Sequence, residues 1–143
     1  MPDSEREQDK KTILLVEDDD GLRELAVKVL SRAGYRVHSA GIHHQAEGIV
    51  REHGESIDLL LTDVVMPEVG GKELADRFKA QFPRLVVLFM SGYTDEVILK
   101  QGVMEGTTHF LQKPFTPSSL VAKVSELLGG DQSRRASASL PEK

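Results

Sequence analysis

Short apolar runs that alternate with stretches of helical periodicity constrain this chain more than any other feature. Thr12–Val16 (TILLV), Ile57–Thr62 (IDLLLT) and Leu85–Met90 (LVVLFM) are five or six residues long and rich in β-formers. Such runs suit strands covered on both faces of a parallel sheet, where strict alternation is not required. Tyr35–Ser39 and Thr107–Leu111 alternate in part and predict two further strands. Leu22, Leu25, Ala26, Val29, Leu30 and Ala33 recur at helical spacing until Gly34 stops them. Leu74, Ala75, Phe78 and Phe82 repeat the pattern as far as Pro83. Leu120, Val121, Val124, Leu127 and Leu128 form a third helix, with Thr116 as N-cap and Pro117 at its first position. Two weaker helices are expected over 43–53, interrupted by Gly48, and over 94–104. The order is β-α five times, which predicts an α/β fold with a doubly wound, five-stranded parallel sheet.

Size and charge narrow the reading. At 143 residues the chain has room for one ordinary domain, expected over 11–128. Residues 1–10 and 129–143 read as flexible tails, too polar and too small-sided to offset the entropy of ordering. The net charge of −5 argues against direct nucleic acid binding, which needs a basic face. The absence of cysteine excludes disulfides, thiolate metal sites and cysteine nucleophiles. The longest apolar run, Leu85–Met90, is far short of a membrane span, and residues 1–10 lack the apolar stretch of a signal peptide. A cytoplasmic protein without membrane attachment is expected.

In open α/β sheets ligands bind beyond the carboxyl ends of the strands. Glu17, Asp18, Asp19 and Asp20 follow the first strand, and Asp63 the third. Ser91 follows the fourth strand, and Lys113 closely follows the fifth. Crowded carboxylates raise one another's pKa unless a cation sits among them, and a hard divalent ion such as Mg²⁺ answers that need with oxygen ligands. Carboxylates, a hydroxyl and an ammonium around such an ion suit a phosphoryl group, and a carboxylate can itself be the nucleophile.

Other polar residues read as structural. Asp19 and Asp20 suit helix capping and a favourable dipole position. Asp58 sits at the amino end of its strand, the wrong edge of the sheet. Of the histidines (His38, His43, His44, His53 and His109), His43 and His44 are adjacent and should point apart on a helix, without the i, i+4 pair a metal prefers. Arg134-Arg135-Ala136-Ser137 looks like a basic-directed kinase site, but a polar tail produces such strings by chance.

Four motifs in order carry a resemblance: Val16-Glu17-Asp18-Asp19; Asp63-Val64-Val65-Met66-Pro67 with Gly71; Met90-Ser91-Gly92; and Phe110-Leu111-Gln112-Lys113-Pro114-Phe115. Residues 11–128 resemble the receiver domain of two-component response regulators. The resemblance implies a flavodoxin-like (βα)5 fold with strand order 2-1-3-4-5. It implies that Asp63 accepts a phosphoryl group from a phosphohistidine. Mg²⁺ would be bound by Asp18, Asp63 and the backbone carbonyl of Val65, with Glu17 acting on the metal or through its water. Ser91 would hydrogen-bond the phosphoryl oxygen, Lys113 would pair with it, and the Lys113–Pro114 peptide would be cis. It further implies a switch in which Ser91 and Phe110 move, reshaping the face made by the helix at 94–104, the fifth strand and the last helix. Glu17 replaces the aspartate common at its position. Val65 and Tyr93 carry no carboxylate or amide to orient an attacking water, which implies slow self-dephosphorylation.

The implied partner is a sensor histidine kinase or a histidine phosphotransfer domain. The chain itself would be a phosphoacceptor rather than an enzyme, either monomeric or forming a weak phosphorylation-dependent dimer. Local wording around 90–95 and 110–116 resembles receivers attached to hybrid sensor histidine kinases, so a stand-alone regulator and a piece of a hybrid kinase both remain open. Asp18-Asp19-Asp20-Gly21 also resembles the first motif of haloacid-dehalogenase-like phosphotransferases, a reading that leaves Asp63 without a role. A degenerate receiver used only as a binding surface is a third possibility, against which the intact acids, Ser91 and Lys113 argue.

Overall fold

A computed structural model describes residues 10–64, 68–91 and 109–129. Along the chain these form β1 (Thr12–Val16), α1 (Asp20–Arg32), β2 (Arg36–Ala40), α2 (His43–His53), a 3-10 turn (Gly54–Ser56) and β3 (Leu59–Asp63). There follow α3 (Gly71–Gln81), β4 (Val86–Ser91), β5 (His109–Gln112) and α4 (Pro117–Leu127). All strand pairs are parallel, and the sheet order is β2-β1-β3-β4-β5, the expected 2-1-3-4-5. The expected helix at 94–104, all but Lys10 and Gly129 of the expected tails, Val65 and Tyr93 lie outside the described residues.

Pleating sends successive side chains to opposite faces, so each central strand feeds two cores. Leu14, Val16 and Leu60 pack beneath α2 and α3 with Ala46, Val50, Leu74 and Phe78. Ile13, Leu15, Leu59 and Leu61 pack beneath α1 and α4 with Ala26, Leu30, Leu120 and Val124. This two-sided burial is why β1 and β3 are near-continuous apolar runs. It leaves only the strand ends for polar chemistry.

The ladder moves several strand boundaries by one or two residues. β3 was expected over Ile57–Thr62 and instead runs from Leu59 to Asp63, because Asp63 pairs with Met90 of β4. β4 likewise extends to Ser91, which pairs with Gln112. Pairing, rather than hydrophobicity, sets where a strand stops. α2 runs unbroken through Gly48, whose neighbours Ala46 and Val50 are buried. α3 ends at Gln81, one residue before Phe82. Thr116 caps α4 as expected, and Ser119 returns a bond to its amide to complete a capping box. No helix among the described residues is long and apolar enough to cross a membrane.

Leu60 is fully buried at the centre of one core. Leu60→Ala is expected to lower unfolding free energy by roughly 2–5 kcal/mol, read from the shift in urea midpoint.

Candidate functional site

The carboxyl edge of the sheet is built by register. Val16 pairs with Thr62, so Glu17 and Asp63 emerge one step apart on neighbouring strands. Glu17 is 1% exposed and Asp63 6%, although both are acids. Burying two carboxylates together demands a counter-charge. Lys113 supplies it: its Nζ donates to Asp63 Oδ2 at 2.8 Å and to Glu17 Oε1 at 3.1 Å. The Lys113 backbone amide donates to the carbonyl of Ser91 at 2.6 Å, which fixes where the side chain starts. The Lys113–Pro114 peptide is cis, as the resemblance implies.

Each charge feels its surroundings strongly. Burial acts most on Glu17 and raises its carboxyl above the ordinary value. The Asp19 amide pulls it down, the Asp63 charge adds to the rise, and Lys113 opposes without cancelling it. For Lys113, burial works against the ammonium. The hydrogen bond and charge of Asp63, then those of Glu17, outweigh that burial, and its pKa is raised. Lys113 is therefore cationic throughout the neutral range.

Asp18 is exposed beside this pair, and one oxygen each of Glu17, Asp18 and Asp63 lies within 4.8 Å of the others. Three carboxylates at that spacing form an all-oxygen donor set suited to a hard divalent cation such as Mg²⁺. Ser91 is 1% exposed, and its hydroxyl meets no hydrogen-bond partner among the described residues. Phe110 lies on β5 and pairs with Phe89 of β4, the two rings 6.2 Å apart.

Two supports were not legible in the sequence. Arg23 of α1 donates through Nη1 to the Glu17 carbonyl at 2.7 Å and through Nη2 to Asp20 Oδ1 at 2.6 Å. An arginine in the first turn of a helix opposes the macrodipole, and that was the available signal. Gly41 leaves the space it fills, since a Cβ there would lie 2.8 Å from Nη1. Gly71 stood in the motif without a reason. Its amide donates to the Val64 carbonyl at 2.7 Å, and a Cβ would collide with the carbonyl oxygen of Asp63.

The structural readings divide. Asp19 is the N-cap of α1, accepting from the Leu22 amide at 2.9 Å, and Asp58 accepts from the Thr12 amide at 2.8 Å. His43 and His44 do not point apart: their ring centroids are 4.3 Å apart. They occupy the first two positions of α2, where no preceding turn separates them. The Val65 carbonyl lies outside the described residues. Only residues 17–19 separate β1 from α1, so no flap precedes the first helix, and nothing supports the haloacid-dehalogenase-like reading.

The sequence profile of the response regulator receiver domain matches residues 13–125. The chain is 36% identical over 117 residues to the sensor kinase CckA of Brucella abortus, covering 82% of this chain and 12% of that protein. It is also 36% identical to the response regulator receiver protein CpdR of Brucella abortus, over 82% of this chain and 97% of that one. The crystal structure of the receiver domain from the hybrid histidine kinase CckA superimposes with a TM-score of 0.70 at 33% identity. That match covers 82% of this chain and 98% of that one.

Glu17, with its raised carboxyl, stabilises the fold fully when protonated, and this contribution is lost as pH rises above the ordinary carboxylate value through the folded one. Glu17→Gln should therefore match the parent near pH 4.5 and exceed it in urea midpoint at pH 7. Gly71→Ala should lower the unfolding free energy at every pH, read from the urea midpoint, by more than the few tenths of a kcal/mol of an ordinary surface change.

Proposed function

The chain belongs to the response regulator receiver domain family, and from that premise we propose that Asp63 is its phosphoacceptor, served by Ser91 and Lys113. The observation that carries this reading is the Lys113 ammonium 2.8 Å from Asp63, inside a rim of buried acids. A carboxylate oxygen of Asp63 attacks the phosphorus of a phosphohistidine. The P–O bond forms as the P–N bond breaks, and the imidazole leaves. The new group brings about −1.5 to −2 charge and three acceptor oxygens. Lys113 stays cationic and pairs with one oxygen, and the Ser91 hydroxyl donates to another.

Glu17, Asp18 and Asp63 would hold Mg²⁺, with the Val65 carbonyl as a further ligand. Bound there, the ion supplies positive charge against the carboxylates and the incoming phosphoryl oxygens. Arg23 keeps the main chain of Glu17 in place. Ser91 and Phe110 act as the switch pair: recruitment of the Ser91 hydroxyl opens room behind it for the Phe110 ring, and the face around β5 and α4 is read by a partner.

The donor is a sensor histidine kinase or a histidine phosphotransfer domain, and the chain performs its own phosphotransfer and dephosphorylation. The two Brucella relatives show both settings for such a receiver, a short regulator and a segment of a kinase. The domain occupies 11–128, works in the cytoplasm, and is monomeric or weakly dimeric when phosphorylated.

Acetyl phosphate with Mg²⁺ should add one phosphoryl group to the intact mass of the protein. Asp63→Asn should abolish the addition, whereas labelling that persists in Asp63→Asn would overturn the assignment. Because Val65 and Tyr93 carry no carboxylate or amide to orient a water, the phosphoprotein should lose its label slowly. A half-life of seconds in the isolated chain would contradict that.

A further inference from the structure

A second group of ligand-bearing side chains shares no residue with the acidic rim. His43 opens α2 and is 8% exposed, so its imidazole is held by the fold rather than by solvent. Its Nε2 lies 2.8 Å from Oε1 of Glu68, on the segment between β3 and α3. His44 lies ring against ring with it, and one ligand atom each of His43, His44 and Glu68 lies within 4.8 Å of the others. Glu47, one turn on, completes the group, 3.5 Å from Nδ1 of His43 and 3.8 Å from Nδ1 of His44. Glu47 is itself anchored by Arg77 Nη1 at 2.7 Å.

We propose that His43, His44 and Glu68 bind a borderline divalent transition-metal cation, Zn²⁺ in the first instance, with Glu47 as the outer carboxylate that orients both imidazoles. Two nitrogens and one oxygen suit Zn²⁺, whereas the all-oxygen rim of Glu17, Asp18 and Asp63 suits a hard ion. The two cations therefore sort to different clusters. Metal bonds of 2.0–2.2 Å in tetrahedral geometry set ligand atoms about 3.3 Å apart. The 2.8 Å contact between His43 and Glu68 needs only a small opening to admit an ion. A metal-bound histidine commonly offers its other ring N–H to a carboxylate; Nδ1 of His43 is buried and makes no hydrogen bond among the described residues, and Glu47 stands 3.5 Å from it, placed to take that part. The start of α2 carries partial positive charge that opposes a cation, and the two carboxylates exceed it. Water completes the fourth position. The bound ion would tie the start of α2 to a residue five positions beyond Asp63.

Calorimetric titration of the full chain with ZnCl₂ in saturating Mg²⁺ tests the site. One equivalent of Zn²⁺ should bind, and Co²⁺ in its place should give the visible absorption of a tetrahedral centre. His44→Ala and Glu68→Gln change exposed side chains, and each should weaken binding at least about tenfold. Asp63→Asn and His53→Ala should leave it unchanged, the latter because the stacked His38–His53 pair lies outside the cluster. No Zn²⁺ binding, parent affinity in either His44→Ala or Glu68→Gln, or a loss caused by Asp63→Asn or His53→Ala would overturn the proposal.

Discussion

One ammonium holds the carboxyl edge of this sheet together. Glu17 and Asp63 are buried side by side, and two carboxylates so placed repel unless a cation stands between them. Lys113 contacts both from just beyond β5, three places from β1 and two from β3 across the sheet. A buried bridge of this kind adds little net stability, since desolvation offsets the attraction, but losing the ammonium would leave two buried carboxylates unanswered at high cost. Its effect is to fix geometry. The acids face the ammonium only if β1, β3, β4 and β5 keep their register, so one interaction reports on the whole ladder.

That dependence explains why the fold was readable from sequence. Buried parallel strands carry few polar residues, so TILLV and LVVLFM stand out, and the polar residues that chemistry needs are pushed to their ends. Once strands are located, Glu17, Asp63, Ser91 and Lys113 fall on one edge by topology alone. Capping was equally legible at Asp19 and Thr116, because a cap is a local hydrogen bond between near neighbours.

What escaped the sequence was whatever depends on distant backbone. Strand ends moved because Asp63 and Ser91 found ladder partners in Met90 and Gln112, which no local propensity encodes. The helical wheel that sets His43 and His44 apart assumes a helix interior, and both lie in the opening turn. Arg23 reads as an ordinary surface residue until its contact with a main-chain oxygen six residues earlier is seen. Gly71 marks a close approach of two backbones, a reason that composition alone does not reveal.

The gap at Gly41 ties two distant positions together. Its missing side chain leaves the room that the Arg23 guanidinium fills as it reaches the Glu17 carbonyl. Any larger residue at 41 would push that guanidinium aside, and a shorter residue at 23 would remove the reason for glycine. A side chain at 41 and the long cationic arm at 23 therefore compete for one space, so the two positions should drift together.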